Sequence, residues 1–383
     1  MCVVYTVCMK KRYTYKLRPG KTAQRSLVQQ YGTCRWIWNQ CVEVFNKYEP
    51  TGQTTLMKQV TTWRKEHTWL SDQPVVPQQQ VIRDFISAKK AFFDKIRKTP
   101  RFKSRRQSHP SLSYTKRGFT ITDSGRLKLA GKIVIPVVWS RDLPENPSSV
   151  RVFKDPCGDW WASFVVEMQQ NPKPRNSDGQ IGIDWGVKTP ATGSRPGFDM
   201  GYTPRVKDNA KNLAKYQRRM ARHKAKQEWE SYRKTKKKKA KLERRVKRQR
   251  KEQSRKWAQH VARNNKTVAI EDFKPKFLFK KKYMAKKSAD IAIGIAKNEL
   301  ISACQTFGSD LYVIDPYYTT MDCSNCGTRA KTKLDLGVRT FQCSTCNTVL
   351  DRDVNAARNM LLRAGFNPTV DEDLNPTSLS GCR

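Results

Sequence analysis

Hydrophobic positions along the chain change their period several times, and each change marks a different kind of element. Residues 13–17 (YTYKL) alternate in the two-residue rhythm of a strand, which Pro19 and Gly20 close as turn residues. After them Leu27, Tyr31, Cys34, Trp38, Cys41 and Phe45 step by four and three, placing all six on one face of a helix. A second helical pattern runs through Val81, Phe85, Ala88, Phe92 and Ile96, entered at Pro77 and ended at Pro100. Together they predict a helical lobe over residues 21–100.

From Arg101 the texture turns to basic loop and short apolar runs: FTIT (119–122), RLKL (126–129), KIVIPVV (132–138), VRVF (150–153) and WWASFVVEM (160–168). Short strands at this spacing predict a small β-barrel. Residues 13–17 add a strand to it, so residues 1–20 and 101–170 form one domain around the helical insertion. The polar run 169–179 is the best linker. Beyond it, QIGIDWG (180–186), TVAIED (267–272) and residues 311–314 read as strands, with a hairpin return beginning at 189–192. Residues 205–265 read as basic helix anchored by Leu242, Val246, Trp257 and Val261, and 291–307 as a helix ended by Gly308. This order predicts an α/β domain with a mixed sheet over 175–322 and 347–365. The expected fold class is thus multidomain α/β plus β-barrel and helical lobe, with residues 366–383 disordered.

Charge turns a set of folds into a set of partners. The 383 residues carry 76 Lys+Arg against 33 Asp+Glu, a formal +43, far above the magnitude of about 2–8 that keeps a small domain soluble. Positions 231–260 alone hold 15 Lys or Arg. A solvated helical face is the plain reading of such a run, but so many like charges repel unless phosphates lie among them, and nucleic acid is the favoured partner. No stretch approaches the roughly 20 apolar residues that cross a bilayer, and the start MCVVYTVCMKKRYTY lacks the pattern of a signal peptide, so a cytoplasmic protein with no membrane partner is expected.

Cys323-Ser-Asn-Cys326 and Cys343-Ser-Thr-Cys346 stand 16 residues apart, the spacing of a zinc ribbon over 323–346. Four thiolates leave no open position, so Zn²⁺ held there is structural. The remaining seven, Cys2, Cys8, Cys34, Cys41, Cys157, Cys304 and Cys382, are expected to be free thiols in a reducing compartment.

Three acids sit in apolar settings: Asp184 in IGIDWG, Glu271 at the end of VAIED, and Asp353 at the start of the amphipathic LDRDVNAARNML helix. Each alone admits a structural role, as a strand end, an ion-pair partner or a helix N-cap. Two strand positions and one helix start can also converge at one end of a sheet. Such a cluster needs cations, and hard carboxylate oxygens suit Mg²⁺ or Mn²⁺.

Read together, IGIDWGVKTPAT, TVAIEDF, DPYYTTMDCSNCG, FQCSTC and LDRDVNAARNML resemble the RuvC nuclease of the TnpB family, transposon-encoded relatives of type V CRISPR effectors. YKLRPGKTAQ, GTCRWIWNQC and RDFISAKKAFFDKIRKTPRFKSRR resemble its N-terminal half, so the match runs along nearly the whole chain. The resemblance implies a wedge barrel, a recognition lobe and an RNase H-like (RuvC) domain carrying an inserted zinc ribbon. It makes Asp184, Glu271 and Asp353 the catalytic acids and Mg²⁺ ligands, with Asp351 and Arg352 in support. It further implies a prokaryotic, nucleoid-associated endonuclease that takes a guide RNA from its transposon end and cuts double-stranded target DNA beside a short motif. The chain departs from the family where Asn347 follows Cys346 in place of glycine, and in the segment FKPKFLFKKKYMAKK after Glu271.

Motif reading by the protein itself would fall to few residues. Gln78, Gln79 and Gln80 open a recognition helix and can pair with adenine, although a solvated helix start is the plainer role. Arg101, Phe102, Lys103 and Arg105 alternate charge with an aromatic, which suits phosphate contact plus stacking. Three rivals share parts of this pattern. A binding-only regulator would lack a catalytic acid, and a DNA transposase would join the ends it cuts. A zinc-ribbon transcription or ribosomal factor leaves the carboxylate segments without purpose.

Overall fold

The computed structural model describes residues 9–47, 52–105, 109–144, 146–168, 172–186, 189–201, 205–272, 293–332, 334–335 and 337–368. Cys2, Cys8 and Cys382, the segment 273–287 and the tail from 369 lie outside them. The described residues divide into two compact units, 9–168 and 172–368.

In the first unit, strand β1 (Met9–Leu17) leads into helices α1 (Lys21–Asn46), α2 (Gln53–Glu66), α3 (Thr68–Ser71) and α4 (Val75–Phe93). Six strands follow: β2 (Ser111–Thr115), β3 (Phe119–Ile121), β4 (Arg126–Leu129), β5 (Ile133–Val138), β6 (Ser149–Lys154) and β7 (Trp160–Met168). With β1 they form one seven-stranded sheet in the order β2-β6-β7-β1-β5-β4-β3. The N-terminal strand lies in its middle, paired antiparallel with β7 from Met9↔Met168 to Leu17↔Trp160. The helices therefore lie between β1 and β2 in the chain. No pairing joins β2 to β3 among the described residues.

Leu27, Cys34, Trp38 and Cys41 of the α1 stripe are buried, and Trp36 packs edge-on against Trp63 and Trp69. Helix α4 stops at Phe93, short of Pro100. Lys95 turns left-handed with φ 55, the Ile96 and Arg97 amides return to the Ala91 carbonyl, and Ile96 is 62% exposed. With nothing apolar to cover the last turn, backbone capping ends the helix early.

The second unit is built on a four-stranded sheet in the order β11-β10-β8-β9: β8 (Gly179–Asp184), β9 (Thr192–Gly193), β10 (Asn265–Glu271) and β11 (Asp310–Ile314). Strands β8, β10 and β11 are parallel, and β9 is the antiparallel return of β8. The basic segment forms α5 (Arg205–Ala225) and α6 (Trp229–Arg263), and α7 (Ile293–Phe307) precedes β11. A hairpin, β12 (Thr340–Gln342) with β13 (Val349–Asp351), leads directly into α8 (Arg352–Arg363).

Strand alternation decides which side chains meet which helices. Ile181, Ile183, Val268 and Ile270 pack with Trp257 and Val261 of α6 and Leu300 of α7. The intervening positions face the other way, where Ala269 packs with Met360 and Leu361 of α8. The result is three layers: α6 and α7, the sheet, and α8. Phe366, expected in the disordered tail, packs on Tyr312 with ring centroids 5.2 Å apart.

Candidate active site and cysteine cluster

Asp184 and Glu271 share the parity of Gly182 and Ala269, so both belong to the α8 side of the sheet. Ile183 pairs with Ile270, and one step further that register sets Asp184 beside Glu271 at the carboxyl ends of two parallel strands. Ligands of open α/β sheets bind at such ends.

Helix α8 brings the third acid. Its N-cap is Asp351, whose carboxylate accepts the Asp353 and Val354 amides at 2.8 and 3.3 Å. The capping role open to Asp353 is thus filled two residues earlier, and Asp353 stands buried in the first turn. Its carboxylate takes hydrogen bonds from Arg339 at 3.0 and 3.3 Å and meets Arg352 at 3.4 Å. A methyl group placed on Gly186 would lie 3.8 Å from Asp353 Oδ2, so this carboxylate reaches the chain just past Asp184.

The electrostatics tie the acids together. Burial, then the charges of Glu271 and Asp353, hold the Asp184 carboxyl well above its ordinary range, while Arg352 and the Trp185 amide oppose the shift. Burial pushes Glu271 up to about 7 against the charge of Lys297 and the same Trp185 amide. Asp184 lies in the field of both other acids, and three carboxylates brought to one end of a sheet are the donor set a hard divalent cation takes.

Among the described residues, one group has its ligand atoms all within 4.8 Å of one another: Cys323, Cys326, Cys343 and Cys346. The carboxylates are more widely spread. The Sγ pairs Cys323–Cys346 and Cys326–Cys343 stand 3.6 and 3.5 Å apart, close to the roughly 3.8 Å edge of a tetrahedron with 2.3 Å metal–sulfur bonds. Each knuckle closes on a left-handed residue, Gly327 (φ 75) and Asn347 (φ 54), so asparagine fills the glycine position without change of geometry.

Several supporting residues were not legible as such in the sequence. On α8, Asn355 accepts the Ser324 amide at 2.9 Å and donates to the Asp322 carbonyl at 2.8 Å. Asn359 donates to the Thr319 and Asp322 carbonyls at 2.8 and 2.6 Å. The NAARN segment thus fastens the cysteine knuckle to the helix that carries Asp353. Glycine within a strand was the available signal for Gly182, which allows close backbone approach. Nothing in the sequence marked Arg339.

In the first unit, Gln79 and Gln80 are half-buried on α4, while Arg101, Phe102 and Arg105 are exposed. Lys103 lies 3.5 Å above the Trp38 ring, where burial lowers its ammonium to about 8. Neighbouring Gln78 is buried, bonded to the Leu70 carbonyl and to Arg64.

Family models match three stretches: "Helix-turn-helix domain" over residues 9–49, "Probable transposase" over 163–289, and "Cas12f1-like, TNB domain" over 296–360. Over the first of these the structure holds β1 and the single helix α1. The fold aligns with that in a cryo-EM structure of a Cas12f1–sgRNA–target DNA complex at TM-score 0.57 and 13% identity, covering 92% of this chain and 98% of that one. The fold is thus shared with the Cas12f1 chain of that complex. A Streptomyces pristinaespiralis protein named "Putative RNA-guided DNA endonuclease" is 33% identical over 365 residues, 92% of this chain and 89% of its own. The "Putative RNA-guided DNA endonuclease InsQ" of Escherichia coli (strain K12) is 27% identical over 374 residues, 91% of each chain. This chain belongs to the TnpB family of RNA-guided DNA endonucleases.

Proposed function

We propose that the chain is an RNA-guided, metal-dependent DNA endonuclease whose Asp184, Glu271 and Asp353 form an RNase H-like (RuvC) centre. The observation that carries this reading is the strand register that sets Asp184 beside Glu271 at the carboxyl ends of parallel strands, with the buried Asp353 carboxylate reaching the chain just past Asp184. Bound there, Mg²⁺ or Mn²⁺ ions would activate the attacking water and neutralise the leaving oxygen of a phosphodiester. The chain's own contribution is placement. Two acids ride on adjacent strand ends, the third on a capped helix, and Arg339 and Arg352 hold the third in orientation. One Zn²⁺ in the Cys323, Cys326, Cys343 and Cys346 cluster has a structural role.

The partners are a guide RNA from the transposon end and double-stranded target DNA. The relatives' names and the nucleic acids of the Cas12f1 complex support this, as does the +43 charge. In this reading the first unit is a wedge-like barrel with a recognition lobe, and Gln79, Gln80, Arg101, Phe102, Lys103 and Arg105 contact nucleic acid near a short adjacent motif. The protein works in the prokaryotic cytoplasm, at the nucleoid when on DNA. No described helix is long and apolar enough to cross a membrane. Single-turnover cleavage by Asp184→Ala, Glu271→Ala and Asp353→Ala tests the centre: each is expected to lose cutting in Mg²⁺ while still binding target, and retained cutting removes that acid from it.

A further inference from the structure

After β11 the chain leaves the sheet through residues 315–322, and at the tip of that turn Tyr317 and Tyr318 are 71% and 50% exposed. Ile314, the last residue of β11, pairs with Glu271. The turn therefore emerges at the sheet edge that carries Asp184 and Glu271, with the Tyr317 Cα at most about 16 Å from that of Glu271.

The turn is held firmly for a surface loop. Arg363 donates to the carbonyls of Asp315 and Tyr317, and its second terminal nitrogen meets Asp322 at 2.7 Å. Thr319 is buried, and its carbonyl takes the Asn359 side chain at 2.8 Å. The Tyr318 carbonyl accepts the Met321 and Asp322 amides, both at 2.9 Å. The Arg329 guanidinium sits 3.9 Å from the centre of the Tyr318 ring and is itself fixed by Asp322 at 2.6 Å.

Tyr318 adopts φ 60, a left-handed backbone that glycine or asparagine takes at far less cost. A half-exposed aromatic kept in a strained position, one side of its ring against the Arg329 guanidinium and the rest open to solvent, points to a use for the ring beyond the fold. The two rings are tilted by 42° with centroids 6.4 Å apart, so they present separate faces.

We propose that Tyr317 and Tyr318 form a stacking platform for unpaired bases of the DNA strand entering the cleavage centre. The proposal rests on the endonuclease reading. Proteins that hold single strands without regard to sequence pair aromatic faces with cationic groups, because every base has a π-face. A guide-paired duplex keeps its base faces stacked inside, so the unpaired strand is the fitting occupant. Sequence tolerance here agrees with a scheme in which guide pairing carries the sequence information.

The test uses the full chain with its co-expressed RNA and target DNA bearing 5-iodouracil beside the cut site, irradiated without Mg²⁺. A crosslink to the peptide holding Tyr317 and Tyr318 is expected. Tyr317→Ala is expected to slow single-turnover cleavage on the order of tenfold, with target affinity, zinc content and melting unchanged, and Tyr317→Phe to cut at the original rate. Crosslinks confined to other peptides, wild-type cutting by Tyr317→Ala, or weakened RNA retention in its place would each overturn the platform. If Tyr317→Ala fails to fold, the wild-type crosslink decides. Should the wild-type complex itself not cut, the endonuclease reading fails separately, and crosslinking to an unpaired iodouracil-bearing oligothymidine still decides the role of the rings.

Discussion

Gly182 and Ala357 meet backbone to backbone: a methyl group on Gly182 would lie 1.8 Å from the Ala357 carbonyl oxygen and 3.3 Å from the Leu361 amide. This contact seats α8 directly on β8 and so fixes how near Asp353 comes to Asp184. Forced methyl groups usually cost about 1–3 kcal/mol where neighbours can move, and here the neighbour is helix backbone. Gly182→Ala should therefore lower stability by at least about 3 kcal/mol in denaturant melts. A loss under about 1 kcal/mol would mean that α8 can lift away freely.

Asp351 and Asp353 stand two residues apart with separate tasks. Asp351→Ala should cost about 0.5–2 kcal/mol, the range for a lost N-cap, and leave cleavage largely intact. Asp353→Ala should abolish cleavage. Equal loss of cutting in both variants would show that Asp351 belongs to the reacting centre.

The periods of hydrophobic residues made β1, α1, α6 and the strands bearing Asp184 and Glu271 legible, because most of the buried positions there are apolar. Helix α2 leaves little trace in the sequence, since only Leu56, Val60 and Trp63 are buried in an otherwise polar stretch. Strand β2 escaped for a similar reason: two buried residues, Leu112 and Tyr114, are a short signal. The candidate acids were visible as carboxylates in apolar segments, but their nearness rests on strand register and on the α8 contact, which are long-range pairings. Arg339 was invisible, because only the folded hairpin carries it to Asp353.

Glu271 gives a pH signature. Its carboxyl, at about 7 in the fold against 4.5 for the free group, holds its proton more tightly when folded. The stabilisation is complete below about pH 4.5 and is lost as pH rises through about 7. In buffer without added Mg²⁺ or Mn²⁺, Glu271→Gln should gain stability relative to the parent protein across that interval. A pH-independent difference between the two melting curves would contradict the burial of this carboxyl.

Purified protein should carry about one zinc per chain, and Cys323→Ser or Cys346→Ser should lower both zinc content and folding yield. Because Asn355 and Asn359 bind the knuckle to α8, cleavage should fall with the zinc. Elemental analysis finding active protein without zinc would remove the metal from the cysteine cluster.

The central claim is that a bound RNA directs the cut. The chain should be expressed with its native flanking DNA, the retained RNA sequenced, and that RNA's terminal segment then replaced. The cleavage site in Mg²⁺ is expected to move to DNA matching the new segment. Cleavage that stays at the old site, or equal cutting by RNA-free protein, would contradict it.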